Sequence, residues 1–431
     1  MPDYNQLQQK KEIPSWYRWV VLLFISLAMF GNYYVYDSIA PIADMLKSSL
    51  GFSDANIGQL YSFYSIAAII VLLLGGIIID RWGTKKSIIL FGSISTIAAV
   101  ITASSSNLMV MLAGRFLLGI GSEPLIVAIT TALAKWFKGK ELSFAFGINL
   151  MIARLGSVAA DNSPTLAKDL YLTWRQPLYL AAALSLFCII GAIAYYVLEH
   201  SAEKKYALGA AGGVDKLVLK DLFVFDKSFW FIVGLCLTFY SAIFPFRSFA
   251  IKYFMEAHNC SREYAGFLNS VLPISAMFAT PLFGLLVDKI GKRTLLMIFG
   301  SILLMPVYLL MAYSGASLYV PIAIMGVAFS LIPAVMWPSV AYIVDSKRLG
   351  TAYSVMTLIQ QIGLAGVNWL IGSVNDINQA SVTNPAGYNV GMWIFSTLGF
   401  LALFFAFMLR RAENSASGHG LDRGMKEMQA A

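Results

Sequence analysis

Five ionisable residues lie deep inside long apolar runs of this chain: Asp37, Arg115, Glu123, Arg154 and Arg247. A charge at the centre of a bilayer costs about 2.5–3.5 kcal/mol on insertion scales, so it persists where it is paired, faces a water-filled cavity or has a function. Glu123 and Arg154 are the most informative two. Their apolar runs are joined by the short polar turn Trp136-Phe-Lys-Gly-Lys-Glu141, and each lies 12 residues from its end of that hairpin, Glu123 before Lys135 and Arg154 after Leu142. On helices rising 1.5 Å per residue both sit roughly 18 Å deep, near the midplane of a hydrocarbon core about 30 Å thick. A carboxylate and a guanidinium at one depth can form a permanent bridge. They can also open to hold a zwitterion, the acid taking an ammonium and the arginine a carboxylate.

The other deep charges allow two readings each. Asp37 and Arg115 match in depth towards the opposite side, which predicts a mutual pair, either structural or proton-coupling. Arg247 follows Phe244-Pro245-Phe246 and either lines a vestibule that attracts a carboxylate or snorkels to the headgroups. Asp161 is nearer a helix end and is expected at the interface. Tyr33, Tyr34, Tyr36, Tyr61, Tyr64 and Trp337 cluster on cavity-forming spans; some suit a lipid-facing aromatic belt, and Tyr64 and Trp337 are deeper and are the better cavity candidates. Gln360, Gln361 and Asn368 can bind a solute or hydrogen-bond between helices. The expected binding set is therefore Glu123, Arg154, Arg247, Tyr64 and Trp337, with Asp37 and Arg115 as a charge pair or coupling pair. No nucleophile–base set is visible. Cys188, Cys236, Cys260, His200, His258 and His419 show no metal-ligand spacing, so no enzyme activity, metal or cofactor is expected.

These residues need a membrane to position them. The 431 residues are 58% hydrophobic and 13% charged, against roughly 45–50% and about 25% in soluble domains. The surplus apolar surface must face lipid. Spans of the required ~20 residues fall at 18–40, 57–79, 87–105, 107–135, 142–165, 175–198, 228–254, 263–287, 294–314, 317–343, 350–373 and 388–409. The polar remainder divides the chain into an amino-terminal tail (1–17), a first bundle (18–198), a linker (199–227), a second bundle (228–409) and a carboxy-terminal tail (410–431). The tail before the first span lacks the short apolar core and cleavage site of a signal peptide. With the amino terminus inside, the cytoplasmic segments hold 23 of the 31 basic residues and the opposite loops five: Lys47, Lys168, Arg175, Lys252 and Arg262. That bias predicts both termini in the cytoplasm. The net charge of +8 is scattered in short clusters with no contiguous basic face, which excludes a nucleic-acid-binding surface.

A repeat relates the halves. Gly76-Ile-Ile-Ile-Asp80-Arg81-Trp82-Gly83 follows the second span and Gly284-Leu-Leu-Val-Asp288-Lys289-Ile290-Gly291 follows the eighth, with the aspartates 208 residues apart. Gly76, Asp80, Arg81, Gly83, Asp288, Lys289 and Gly291 are candidate gating-loop residues. Each aspartate can cap a helix or pair with a neighbour's base in one state of a moving protein, or the loops simply fix topology. This pair of G-x-x-x-D-[RK]-x-G motifs, with Arg115-Phe-Leu-Leu-Gly119-Ile-Gly121 in the fourth span, resembles the signature of the major facilitator superfamily over nearly the whole chain. The resemblance implies an all-α membrane protein, the major facilitator fold, with 12 transmembrane helices in two six-helix bundles. The fifth span has Gly147-Ile-Asn-Leu-Met-Ile-Ala-Arg154-Leu-Gly156-Ser157 in place of the Gly-Pro-rich element of the drug exporters.

Further runs resemble the lysosomal dipeptide-uniporter branch of that family: Gly121-Ser-Glu123, Trp136-Phe-Lys-Gly-Lys-Glu-Leu142, Ala153-Arg154-Leu-Gly-Ser157, Phe244-Pro-Phe246, Trp337-Pro338 and Leu349-Gly-Thr-Ala-Tyr353. The resemblance implies facilitated passage of dipeptides by alternating access, with the acidic and basic contacts falling on Glu123 and Arg154. The expected partners are a small zwitterionic solute and the lipid bilayer, and the sequence is silent on any accessory subunit. An organic-anion or other nutrient transporter, with or without proton coupling, is the alternative. A non-transporting sensor or scaffold is the rival of another class, disfavoured by the lack of a large soluble domain. The short amino-terminal tail carries no acidic dileucine signal, which points to a cell (inner) membrane rather than a lysosomal one.

Overall fold

Each long apolar run folds as an α-helix, which satisfies its backbone amides without water. The computed structural model describes residues 13–72, 75–137, 141–206, 224–345, 348–416 and 418–423. Among them, 12 helical segments are long and apolar enough to cross a bilayer. In chain order the long helices are α1 Ser15–Asp37, α2 Asp54–Leu72, α3 Gly75–Ser104, α4 Leu108–Phe137, α5 Leu142–Asp161, α6 Arg175–Lys205, α7 Lys227–His258, α8 Arg262–Ile290, α9 Arg293–Tyr313, α10 Tyr319–Ile343, α11 Leu349–Ile377 and α12 Asn389–Glu413.

Several helices outrun the spans expected from hydropathy, α6 and α7 among them. α6 continues past 198 to Lys205, and its polar extension has partners: Glu199 accepts from Lys135 of α4 at 2.6 Å, and Glu203 pairs with Lys85 of α3. α7 continues past 254 to His258, and Lys252, counted with the outer-loop charges although it falls within the expected span 228–254, lies inside the helix. The parts of the expected tails, linker and hairpin turn at 1–12, 207–223, 424–431 and 138–140 lie outside the described residues.

The packing repeats with a period of six helices. α1 packs on α5 and α6, α2 on α4, and α3 on α4 and α6; α7 packs on α11 and α12, α8 on α10, and α9 on α10 and α12. Adding six to the first set gives the second. The sequence motif repeats with it: Gly83 (φ 75°) and Gly291 (φ 66°) both adopt a left-handed conformation that suits glycine at the turns following Asp80 and Asp288.

The halves meet chiefly through α2 against α11 and α5 against α8. The start of α1 and the end of α12 lie on one face, here the near face. There residues 418–423 fold back on α9, where Asp422 accepts from the Thr294 amide at 2.9 Å and its hydroxyl at 2.6 Å. On the opposite, far face the halves approach to backbone contact. A Cβ on Gly372 would lie 2.2 Å from the carbonyl oxygen of Asp54, and one on Gly266 would lie 2.1 Å from that of Asp161.

Candidate functional site

Between the bundles lies a cavity of about 320 Å³, walled by α1, α2, α4 and α5 on one side and α7, α10 and α11 on the other. Its lining follows helical periodicity. Thr357, Gln360, Gln361 and Leu364 recur at i, i+3, i+4 and i+7 on α11, and Tyr240, Phe244 and Arg247 at i, i+4 and i+7 on α7.

Glu123 reaches the cavity from α4. The next residue, Pro124, has no amide proton for the carbonyl of Ile120, which loosens the helix at this point. Glu123 Oε1 accepts from the Tyr64 hydroxyl of α2 at 2.8 Å and from Gln361 Nε2 of α11 at 3.0 Å. The Tyr64 hydroxyl also lies 3.0 Å from Ser122 Oγ, which accepts from Asn32 Nδ2 of α1 at 2.7 Å. One hydrogen-bonded chain thus runs from α1 to the opposite bundle.

Arg154 comes from α5. Its guanidinium lies between the rings of Tyr33 on α1 and Phe329 on α10, 5.6 Å from each centroid. Among the described residues it makes no hydrogen bond and no ion pair, and its Nε is buried without a partner. Glu123 and Arg154 therefore share the cavity without bridging each other. Two π faces hold the cation in place while its donors stay unspent, which suits capture of a carboxylate.

The remaining charges pair differently from the sequence expectation. Asp37 does not pair with Arg115. Arg115 donates to the carbonyls of Val35 and Tyr36, in the last turn of α1 where carbonyls lack intrahelical partners, and to that of Leu60 in α2, each at 3.1 Å. Asp37 instead lies 3.6 Å from Arg247. Arg247 neither snorkels nor stands free for a solute. It is buried, and its Nη2 binds Asp161 Oδ2 at 2.8 Å. Asp161, expected at the interface, is fully buried, and its second oxygen accepts from Asn269 Nδ2 at 2.7 Å. This cluster joins α1 and α5 to α7 and α8 on the far side of the cavity.

A second far-face cluster was not visible in the sequence. Lys252 Nζ contacts Asp54 Oδ2 at 3.0 Å, Glu256 Oε2 at 3.0 Å and the Tyr388 hydroxyl at 2.6 Å, with no exposed side-chain surface on Lys252 or Asp54. Asp376 of α11 accepts from the amides of Asp54 and Ala55 at 2.8 Å each. Arg262 forks onto both oxygens of Asp44 at 2.5 and 2.6 Å. On the near face, Lys135–Glu199 and Asp288–Arg293 join residues of one half.

The sequence candidates thus divide. Glu123, Arg154, Tyr64, Trp337, Arg247 and Asp37 all line the cavity. Arg115 lies behind the tyrosines, 5.1 Å from the ring centre of Tyr61 and 5.5 Å from that of Tyr36. Of the loop residues, Gly76 lies in the helical stretch before the Gly83 turn, and Asp80, Arg81, Asp288 and Lys289 are exposed. Asp288 lies 3.4 Å from the buried Arg293, which also reaches the Tyr342 hydroxyl at 2.9 Å. Asn32, Tyr240 and Phe329 were not anticipated; the α7 and α11 stripes were the available signal.

Comparison with known proteins agrees with this architecture. The Major Facilitator Superfamily model matches residues 25–367 and 248–427. The chain is 32% identical to the lysosomal dipeptide transporter MFSD1 of Danio rerio over 376 residues, covering 84% of this chain and 81% of that protein. It is 31% identical to the Homo sapiens protein of that name, over 84% and 80%. A probable sulfoacetate transporter, SauU of Cupriavidus necator, is 23% identical over 64% of this chain and 66% of its own. Among solved structures, an inward-facing, occupied bacterial homologue of the lysosomal transporter Spinster superposes with a TM-score of 0.70 at 16% identity, covering 93% of this chain and 98% of that one. The nucleoside transporter NupG superposes with a TM-score of 0.69 at 16% identity, over 92% and 99%.

Proposed function

The chain belongs to the Major Facilitator Superfamily, and within that family of membrane transporters we propose that it is a dipeptide uniporter working by alternating access. The observation that carries this reading is an unspent pair of opposite charges. Among the described residues Arg154 has no anion and Glu123 has one oxygen without a hydrogen bond, and both line a cavity at the seam of the two bundles. A free amino acid and a dipeptide both offer an ammonium and a carboxylate. The wider separation in a dipeptide suits charges that do not touch, and the relatives named for dipeptide transport favour the same choice. An organic anion would be favoured if Arg154 and Arg247 both bound carboxylates of a solute, and Arg247 is engaged by Asp161 and Asp37.

The clusters on the far face fit a state closed on that side. Positive charge in the sequence orients the far face outward and both termini into the cytoplasm, in a cell membrane. In this cycle the substrate enters or leaves through the near face here, and the far-face pairs separate when the cavity faces the other way.

The test is a cycle of two variants against free and end-blocked dipeptides, with binding measured in detergent and folding checked separately. Glu123→Gln weakens a free-amine dipeptide far more than its N-acetyl form. Arg154→Leu weakens a free carboxylate far more than its amide. Breaking one end of a buried charge pair costs about 3–5 kcal/mol, so both differences are measurable. Equal losses for free and blocked ligands would make the two residues structural.

A further inference from the structure

In the hydrogen-bonded chain that contains Glu123, the buried atoms left without any partner among the described residues are acceptors. Both donors that reach the carboxylate, Tyr64 and Gln361, go to Oε1. A carboxylate only accepts, so the Gln361 amide must turn its nitrogen towards Glu123, and this fixes Gln361 Oε1 as the leftover atom. That atom is buried and makes no hydrogen bond among the described residues, in a side chain of a residue only 4% exposed. Asn32 repeats the pattern on the other side of Ser122. Its Nδ2 donates to Ser122 Oγ, and among the described residues its Oδ1 is buried without a partner in a residue 1% exposed. Asn32, Glu123 and Gln361 all line the cavity and belong to one hydrogen-bonded chain. An unsatisfied buried acceptor carries its full desolvation penalty, so two in residues that line one cavity, at the two ends of one hydrogen-bonded chain, point to a ligand that donates.

We infer that Glu123 Oε2, Gln361 Oε1 and Asn32 Oδ1 form a receptor for a primary ammonium, one acceptor for each N–H, and that the transporter therefore discriminates by the number of hydrogens on the substrate's amino terminus. This rests on the reading of Glu123 as the amine site and goes beyond it, since charge alone would accept any cationic amine. N-methylated peptides and peptides beginning with proline keep the charge and lose a donor, so one buried acceptor stays unsatisfied when they bind. Gln361 comes from the opposite bundle to Asn32 and Glu123, so a primary ammonium also ties the two halves at this point.

The test uses the full-length protein in detergent and four probes: alanyl-alanine and its N-methyl, N,N-dimethyl and N-acetyl forms. Affinity is expected to fall by on the order of tenfold to a hundredfold on the first methylation, from the size of a hydrogen bond to a charged group, and further on the second. In Gln361→Met the step from primary to N-methyl amine shrinks, while rejection of the acetyl form remains. If wild-type protein binds the methylated amines as tightly as the primary amine and still rejects the acetyl form, the three-acceptor receptor is wrong and the amine reading of Glu123 stands. If the acetyl form binds as well as the free amine, both readings fall. The wild-type series decides the matter even where a variant fails to fold.

Discussion

Asp161, the last residue of α5, and Arg247, in α7, meet at 2.8 Å across the seam of the two bundles with almost no exposed side-chain surface on either. Asn269 takes the other oxygen of Asp161, and Asp37 stands 3.6 Å from the same guanidinium. Removal of one partner leaves a buried charge uncompensated, which costs about 3–5 kcal/mol. Asp161→Asn and Arg247→Met are each expected to lower the melting temperature strongly. The double variant should lose less than the sum, because it removes the stranded Asp161 charge and leaves Asp37 as the one cluster carboxylate without its arginine. Additive losses in thermal unfolding would mean that the pair does not hold the halves together.

Close approach gives a second way to bias the far face. A Cβ on Gly372 would lie 2.2 Å from the Asp54 carbonyl, a backbone atom that cannot swing aside. Gly372→Val should therefore prevent α2 and α11 from closing and should slow transport. A cysteine at Ala365, whose carbonyl accepts from Ser62 at 2.6 Å across that interface, should then react faster with a membrane-impermeant thiol reagent. An unchanged labelling rate would show that the contact tolerates the added bulk.

Driving force is a separate question. For a uniporter, labelled dipeptide in proteoliposomes equilibrates across the membrane and does not accumulate when a proton gradient is imposed. Sustained uphill uptake would overturn uniport and promote the carboxylates Asp37, Glu123 and Asp161 to coupling candidates.

The near-face loops give a prediction in which rate and stability diverge. The Asp288 side chain is 62% exposed, so its pairing with Arg293 at 3.4 Å adds little stability, about 0–1 kcal/mol for exposed pairs. If Asp80 and Asp288 act in one state of the cycle, Asp80→Asn and Asp288→Asn slow transport while melting temperature and membrane insertion barely change. Normal rates in both variants would leave the loops as topological markers.

Depth was legible in the sequence and azimuth was not. Counting residues along the α4–α5 hairpin measures how far Glu123 and Arg154 lie from its turn, and both line one cavity. Yet each residue turns a helix by about 100°. On helices apolar nearly all round, hydropathy does not say which way a side chain points. So Glu123 turned to Tyr64 and Gln361, and Asp37, matched in depth by two arginines, turned to Arg247 and not Arg115. Lys252 and Asp161 were misjudged for a related reason. Both sit where a hydropathy window ends, and what buries them is the opposite bundle, which no local window contains. The repeat was legible because it is local, recurring at Asp80 and Asp288 with the same glycine three residues on.

The start of α2 is capped by two parties. Within its own strand of chain, Ser53 Oγ accepts from the Asn56 amide and Asn56 returns the bond to the Ser53 amide. The two preceding amides, of Asp54 and Ala55, have their acceptor in Asp376 at the end of α11, in the other bundle. Separation of the bundles on this face would strip both amides at once and remove a carboxylate from the positive end of a helix, an interaction of about 0.3–1 kcal/mol where solvent reaches it. In a cycle of alternating access the swing would then be partly a helix–coil transition. One turn of α2 would be completed by the partner bundle on closing and left to fray on opening, and a rigid-body picture would fail at the point where the two bodies touch.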